Sequence, residues 1–254
     1  MSSLQYRRGG SKTLMGYPIE MIGKETLLFS LIGENAIESK KEALFNAFFK
    51  ERDVDAKMMP LNIRMDDIGF FIYGFKDSKI KAAYFQEEYW QKLYELLEEM
   101  SPEAKQCGIV DTIDVKSGKN IAYLSQGRAA NALLEPQDKI VGIYGNTPSV
   151  KSILYHLVKN NPKEIVLYAE IIEETLPLME MIPADIQVDV VRIEDTIMID
   201  KCAIMIDAKM NNKLHYHDKI TVLELGYHDS THLTFIDIEK EIAKIKTKEW
   251  IEHG

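Results

Sequence analysis

A chain of 254 residues with 46% apolar content can bury a full core, and its length suits two modest domains better than one. Its net charge of −9, with no basic cluster longer than Arg7-Arg8, excludes nucleic acid as an expected partner, because phosphates would be repelled. Cys107 and Cys202 lie far apart and outside any Cys-x-x-Cys spacing, so neither a disulfide framework nor a zinc site is implied.

No apolar run approaches the roughly 18 to 20 residues that span a bilayer, and no signal-peptide core opens the chain. The expectation is a cytoplasmic protein without a membrane partner. Residues 1–24 are polar and broken by Gly9, Gly10, Gly16 and Pro18, and read as an N-terminal arm. Thr26 to Ile32 reads as an apolar strand, followed after Gly33 by a helix carrying Ala43, Leu44, Ala47, Phe48 and Phe49. Strands are expected near Lys57 to Leu61 and at Phe70 to Phe75, with a short amphipathic segment at Arg64 to Ile68 between them. This alternation implies parallel pairing.

Glu87 to Glu98 is expected to be a helix whose Tyr89, Trp90, Leu93, Leu96 and Leu97 share one face, a spacing that fits core packing. Ser101-Pro102-Glu103 starts the next helix, a hairpin follows with its turn at Ser117-Gly118, and a helix through Arg128 to Leu134 ends before Pro136. Residues 25–135 thus form a substrate-binding α/β domain in this reading.

The stretch from Asp138 to Glu170 organises the second half. A strand apolar on both faces (Ile140 to Tyr144) meets a tight turn at Gly145 and Asn146. Thr147-Pro148-Ser149 then starts a helix, and a second strand (Ile165 to Ala169) ends in an acid. This is the opening unit of a dinucleotide-type fold, with a carboxylate about 20 residues on for a ribose. Registered on the end of the strand, the three fingerprint glycines fall on Tyr144, Asn146 and Ser149. That crowding favours an adenosyl ligand without phosphates, S-adenosyl-L-methionine, over a dinucleotide. Tyr144, Gly145, Asn146, Thr147 and Glu170 are the expected cofactor-binding residues.

Strands at Val188 to Val191, Ala203 to Ile206 and Ile220 to Leu225 complete five in a doubly wound sheet, giving a Rossmann-like nucleoside-binding domain over 136–232. Residues 233–254 read as a C-terminal helix packing back on the first domain through Ile238, Ile242, Ile245 and Trp250. The fold class is therefore α/β.

The N-terminal half resembles the substrate domain of shikimate dehydrogenases. Their Gly-x-Pro-Ile-x-His-Ser-x-Ser-Pro opening and following helix are similar to Gly33 to Phe49, where Ser39, Asn46 and Phe49 match while Lys41 and Glu42 replace a serine and a proline. Their Gly-Phe-Asn-Val-Thr-Ile-Pro-x-Lys run is similar to Gly69 to Asp77, with Asp77 at the lysine. GIVDT (Gly108 to Thr112) resembles Gly-Ala-Val-Asn-Thr, and LSQG (Leu124 to Gly127) resembles Asn-Thr-Asp-Gly, with Gln126 at the aspartate. The segment LELGYHDSTHLT resembles the loop that closes the family's cofactor site and carries His228.

The lysine and aspartate that move a proton during hydride transfer are both replaced, which argues against shikimate dehydrogenase activity. A dehydrogenase-shaped protein with a phosphate-poor nucleoside site resembles the pyridinol C-methyltransferase family of iron-guanylylpyridinol (FeGP) cofactor biosynthesis. That resemblance implies methyl transfer from S-adenosyl-L-methionine to a hydroxypyridine carboxylate, a small aromatic substrate held by hydrogen bonds and orientation. It implies catalytic roles for Asp77, Thr112, Ile113 through its backbone, and Thr175, and substrate contacts from Ser39, Asp111, Gln126 and His228. His215, His217, His228 and His232 lack a supporting ligand pattern, so no metal is expected. A homodimer is expected from the arm and an exposed aromatic helix. An NAD(P)-dependent oxidoreductase with altered catalytic residues and a non-catalytic ligand-binding protein remain open beside the methyltransferase.

Overall fold

Strands that are apolar on both faces pair in parallel between helices, and the chain contains two such sets. The structure, a computed structural model, describes residues 13–14, 17–18, 22–39, 41–209, 213–225 and 233–253. A short antiparallel pair, β1 (Thr13–Leu14) and β2 (Tyr17–Pro18), precedes the first sheet.

That sheet and its helices run β3 (Leu27–Gly33), α1 (Lys41–Glu51), β4 (Ala56–Asn62), α2 (Ile68–Phe75) and β5 (Ile80–Phe85). Helices α3 (Trp90–Leu96) and α4 (Pro102–Cys107) follow, then β6 (Thr112–Lys116), β7 (Lys119–Tyr123) and α5 (Gln126–Leu134). The strand order is β4-β3-β5-β6-β7, with the first three parallel and β6 and β7 added as an antiparallel hairpin. Ser117 and Gly118 both take positive φ, 52° and 73°, as a two-residue turn matched to strand twist demands.

The second set begins with β8 (Ile140–Tyr144), α6 (Pro148–Val158), β9 (Glu164–Ala169), α7 (Leu176–Met179) and β10 (Gln187–Arg192). It continues through β11 (Ile197–Ile199), β12 (Ile204–Asp207), β13 (Leu214–Tyr216), β14 (Thr221–Glu224), β15 (Leu233–Thr234) and α8 (Phe235–His253). Six strands pair in parallel in the order β10-β9-β8-β12-β14-β15. This is the doubly wound dinucleotide-fold order, whose ligand crevice opens at the carboxyl ends of β8 and β12, where the winding reverses. The sheet has one strand more than the sequence suggests, and β11 and β13 form a separate parallel pair.

One expected strand is a helix. Residues 70–75 belong to α2, which buries Ile68, Ile72 and Phe75 and leaves Phe70 and Tyr73 each 82% exposed. Burial at i, i+4 and i+7 is a helical stripe, and only packing reveals it in so apolar a segment. The strand lies further on, at β5. The stripe of 89–93 packs in the core as its spacing suggests, with Tyr89, Trp90 and Leu93 fully buried. Among the described residues, the exposed aromatics Phe70 and Tyr73 are on α2.

Helix α8 lies against α1 and α5 and buries Ile238, Ile242, Ala243 and Trp250. The Trp250 ring stacks on Phe29 at 4.6 Å and Phe45 at 5.7 Å, while its Nε1–H donates to Asp114 at 3.0 Å. No helix among the described residues is long and apolar enough to cross a membrane.

Helices α5 and α6 touch at Gly127, where an added Cβ would stand 2.1 Å from the Ser152 carbonyl oxygen. Gly127→Ala should therefore cost about 1–3 kcal/mol in urea unfolding, because the neighbour is backbone and cannot turn aside. Gly74→Ala, with open space around it in α2, should stabilise by up to about 1 kcal/mol. Equal midpoints for the two variants would contradict this close crossing.

Candidate active site

The facing ends of the two sheets bring together two groups of polar side chains. The first centres on Asp111, which is fully buried just before β6. Its carboxylate accepts from Thr112 Oγ1 at 2.6 Å, Ser125 N–H at 2.7 Å, Ser125 Oγ at 2.9 Å and Gln126 N–H at 3.0 Å. These donors include the first amides of α5, so the carboxylate satisfies a helix end whose dipole favours it. The next amide, Gly127 N–H, donates to Ser152 Oγ in α6 at 3.0 Å and so ties the hairpin side to the second sheet's first helix.

Gln126 is held there fully buried, and both ends of its side-chain amide lack a hydrogen-bond partner. Tyr84 of β5, close enough to Asp111 to feel its charge, donates its hydroxyl to Glu239 of α8 at 3.1 Å. Lys41, at the start of α1, pairs with the same Glu239 oxygen at 2.8 Å, and the second oxygen, Oε2, is buried without a hydrogen-bond partner. Burial, then the Glu239, Asp111 and Glu87 carboxylates, push the Tyr84 phenol well above its ordinary range, so it stays a neutral donor. Ser39 accepts from Lys41 N–H at 3.2 Å and starts α1.

Glu87, beyond β5, reaches across to α6 and accepts from Ser149 Oγ at 2.9 Å and Ser149 N–H at 3.3 Å. Lys246 of α8 is fully buried above the Tyr123 ring at 3.4 Å and lies 3.4 Å from Glu249. Burial lowers its ammonium to about 8, against the opposing pull of Glu249, Asp111 and Asp114.

The second group lies at the switch point. Gly145 takes φ 105° immediately after β8, and a Cβ there would meet Ala208 Cβ and Lys209 Cγ at 3.2 Å. Only glycine suits both the conformation and the approach. Thr147 caps α6 by accepting from Val150 N–H at 3.3 Å, with Pro148 at the first helical position. Asn146 donates from Nδ2 to the Glu174 carbonyl at 3.1 Å. Glu170 bridges to Lys213 at 2.5 Å and Lys209 at 3.2 Å, and those bonds, Lys213 first, hold its carboxyl below the usual range. Tyr144 is buried, with Lys209 5.7 Å above its ring.

The structure gathers Ser39, Asp111, Thr112 and Gln126 around the first sheet's end, and Tyr144, Gly145, Asn146, Thr147 and Glu170 around the second. Ile113 turns its side chain into the apolar core under the sheet and pairs with Ala83 through its backbone. Thr175 is buried beside Gly145 and Asn146, but its hydroxyl donates to the Ile172 carbonyl at 2.7 Å within its own turn.

Asp77 is exposed at the end of α2, before β5, whereas the cleft lies past the far end of that strand. A six-residue strand separates the two by ~16–20 Å, so the register that set Asp77 on the family's lysine is corrected. His228 lies outside the described residues. Among the described residues, no three His, Cys, Asp or Glu groups are placed to hold a metal ion. Sequence reasoning missed Tyr84, Glu87, Lys209 and Glu239, and it noted Lys41 only as a departure from the family pattern. The last four carry no local motif, and Tyr84 was lost with its strand.

No protein-family model matches the chain. It is 26% identical over 146 residues to the shikimate dehydrogenase (NADP(+)) of Methanocaldococcus jannaschii, covering 56% of this chain and 52% of that protein. The chain thus spans about half the length of the curated relatives it matches. A solved shikimate dehydrogenase in complex with NADP+ superposes with a TM-score of 0.76 at 20% identity, covering 93% of this chain and 94% of the other. Shikimate 5-dehydrogenase from Listeria monocytogenes, in complex with shikimate and NAD, gives 0.75 at 14% identity, covering 92% and 94%. The fold is accordingly a Rossmann-like doubly wound sheet beside an α/β unit like the substrate domain of shikimate dehydrogenases.

These matches overturn the methyltransferase reading, with its S-adenosyl-L-methionine cofactor and its place in FeGP cofactor biosynthesis. The similar proteins are NADP-named dehydrogenases, and the solved ones hold NADP+ or NAD. The turn after β8 keeps a single glycine, Gly145, at φ 105°; the later fingerprint positions counted from it are Thr147 and Val150, so the missing glycines do not by themselves separate an adenosyl ligand from a dinucleotide.

Lys246 supplies a test of the buried electrostatics. Its folded pKa, about 8, lies below the ordinary 10.5, so the folded state binds this proton less tightly than the unfolded chain. The resulting destabilisation is full below pH 8 and is relieved as pH rises from about 8 to about 10.5. Relative to Lys246→Met, the wild type should gain about 3 kcal/mol between about pH 7 and about pH 11, read by chemical denaturation. Parallel pH profiles would mean that this ammonium is hydrated.

Proposed function

We propose that the chain is an NAD(P)-dependent oxidoreductase of the shikimate-dehydrogenase type, with a dinucleotide on the second unit and a small-molecule substrate between the units. The observation that carries this reading is the juxtaposition at the switch point. Gly145 and the start of α6 lie at the carboxyl end of β8, and the buried Tyr84, Gln126 and Glu239 lie at the end of the first sheet, tied to α6 through Gly127 and Ser152.

The residues present fit a nicotinamide dinucleotide. A glycine with φ 105° removes the side chain where backbone must approach a pyrophosphate, and the α6 N-terminus favours an anion. Glu170, at the end of β9, suits the ribose 2′-hydroxyl, while Lys209 and Lys213 beside it would tolerate a 2′-phosphate. Bound there, the dinucleotide supplies or accepts a hydride.

The chain's own residues bind, orient and hold protons. Tyr84 is kept protonated, Glu239 and Lys41 share its proton network, and Gln126 offers one donor pair and one acceptor to a substrate. These stand in for the lysine and aspartate that the resemblance leads one to expect. In the same reading, residues 25–135 carry the substrate, 136–232 carry the dinucleotide, and 233–254 close the first unit. The protein would work in the cytoplasm, as a homodimer that covers Phe70 and Tyr73.

Titrating NADH and NADPH with fluorescence detection tests this. At least one should bind saturably, and a dinucleotide at about 100 times its dissociation constant should raise stability by about 2.7 kcal/mol. Glu170→Ala should shift preference toward NADPH by about fivefold to tenfold, on the order of 1 kcal/mol. No binding of either dinucleotide would remove the oxidoreductase reading.

A further inference from the structure

The cleft floor has an unusual balance of charge and unmet hydrogen bonds. Three carboxylates, Glu87, Asp111 and Glu239, surround the Tyr84 hydroxyl. Among the described residues, the cations near them are already engaged: Lys41 with Glu239 at 2.8 Å, Arg128 with Glu249 at 2.5 Å, and Lys246 with Glu249 at 3.4 Å. Asp111 is saturated by its four donors. Among the described residues, an incoming carboxylate or phosphate would therefore meet like charge at Glu239, where burial strengthens the repulsion, without a waiting cation, while Glu87 adds its charge from an exposed position.

The groups that lack partners define what fits. Gln126 Nε2 has hydrogens to donate, while Gln126 Oε1 and Glu239 Oε2 have lone pairs to receive. All three atoms are buried, and leaving such groups unpaired is costly, so each seeks a partner of opposite sense. A molecule complementary to them presents one acceptor oxygen and at least two hydroxyl donors.

We infer that this cleft selects an uncharged, polyhydroxylated ketone, or the alcohol made from it, and discriminates against carboxylated and phosphorylated counterparts. The inference rests on the oxidoreductase reading of the same cleft and adds the substrate class to it. It also assigns Glu239 as the residue that sets specificity: its charge repels an anion, its pairing occupies Lys41, and its second oxygen receives a hydroxyl.

Calorimetric titration of the full chain tests this, with two probes that share a hydroxylated ring ketone and differ in charge. The uncharged probe is inosose and the carboxylated one is 3-dehydroquinate. Inosose should bind at least about tenfold more tightly. Glu239→Gln, which removes the repulsion and releases Lys41 for an anion, should narrow or invert that ratio by at least about tenfold. Gln126→Leu, similar in size but without polar atoms, should abolish inosose binding.

Tighter binding of 3-dehydroquinate by the wild type would overturn the inference, as would no saturable binding of inosose. A Glu239→Gln ratio equal to the wild type's would overturn it too, and the wild-type comparison decides the matter if that variant fails to fold. Dinucleotide binding, measured on the same samples without either probe, fails separately. Its loss removes the oxidoreductase reading while the preference for an uncharged ring stands or falls on the probes.

Discussion

The architecture of the cleft depends on one buried carboxylate. Asp111 is fully buried just before β6, and a charge so placed must be offset by donors. The chain supplies them from a segment 14 and 15 residues away, the first amides of α5 and the Ser125 hydroxyl, together with the adjacent Thr112. The bonds fix the start of α5 against the start of β6. From there Gly127 reaches Ser152 of α6, where a side chain would collide with backbone. Helices α5 and α6 thus meet at a set distance, and the side-chain amide of Gln126, one residue before that contact, is buried and unbonded.

Much of the fold is legible from the residues because its signals are local. Thr147-Pro148 announces α6, Ser117-Gly118 announces the hairpin, and strands β8 and β9, apolar on both faces, announce a parallel sheet. Helix α2 is illegible for the opposite reason. IGFFIYGF is almost wholly apolar and aromatic, its two glycines weaken the helical signal, and its buried stripe appears only once neighbours cover one side. That single misreading displaced β5 and with it Tyr84, and it set the family's lysine on an exposed loop residue, Asp77.

The cleft is harder to read than the fold, since its partners are remote in the chain. Tyr84 and Glu239 are 155 residues apart, and Lys41 joins them from a third element. Side-chain type alone presents Glu239 as one more acid on an acidic helix. The turn after β8 shows the other limit of a sequence argument. The glycine fingerprint is incomplete in either register, since counting from Gly145 puts Thr147 and Val150 at its later positions. At Gly145 the chain keeps the one glycine whose backbone requires it, and the similarity to dehydrogenases that hold NADP+ or NAD follows the fold that this turn serves.

The central claim is that Asp111 holds the cleft together, and native-state hydrogen exchange at the Ser125 and Gln126 amides of Asp111→Ala tests it most directly. Losing the shared acceptor of two buried amides should cost roughly 2–3 kcal/mol locally, so exchange should quicken by about thirtyfold to one hundred and fiftyfold at those two positions while β8 and β9 keep their protection. Unchanged exchange at Ser125 and Gln126 would mean that α5 is anchored by packing alone, contradicting the account.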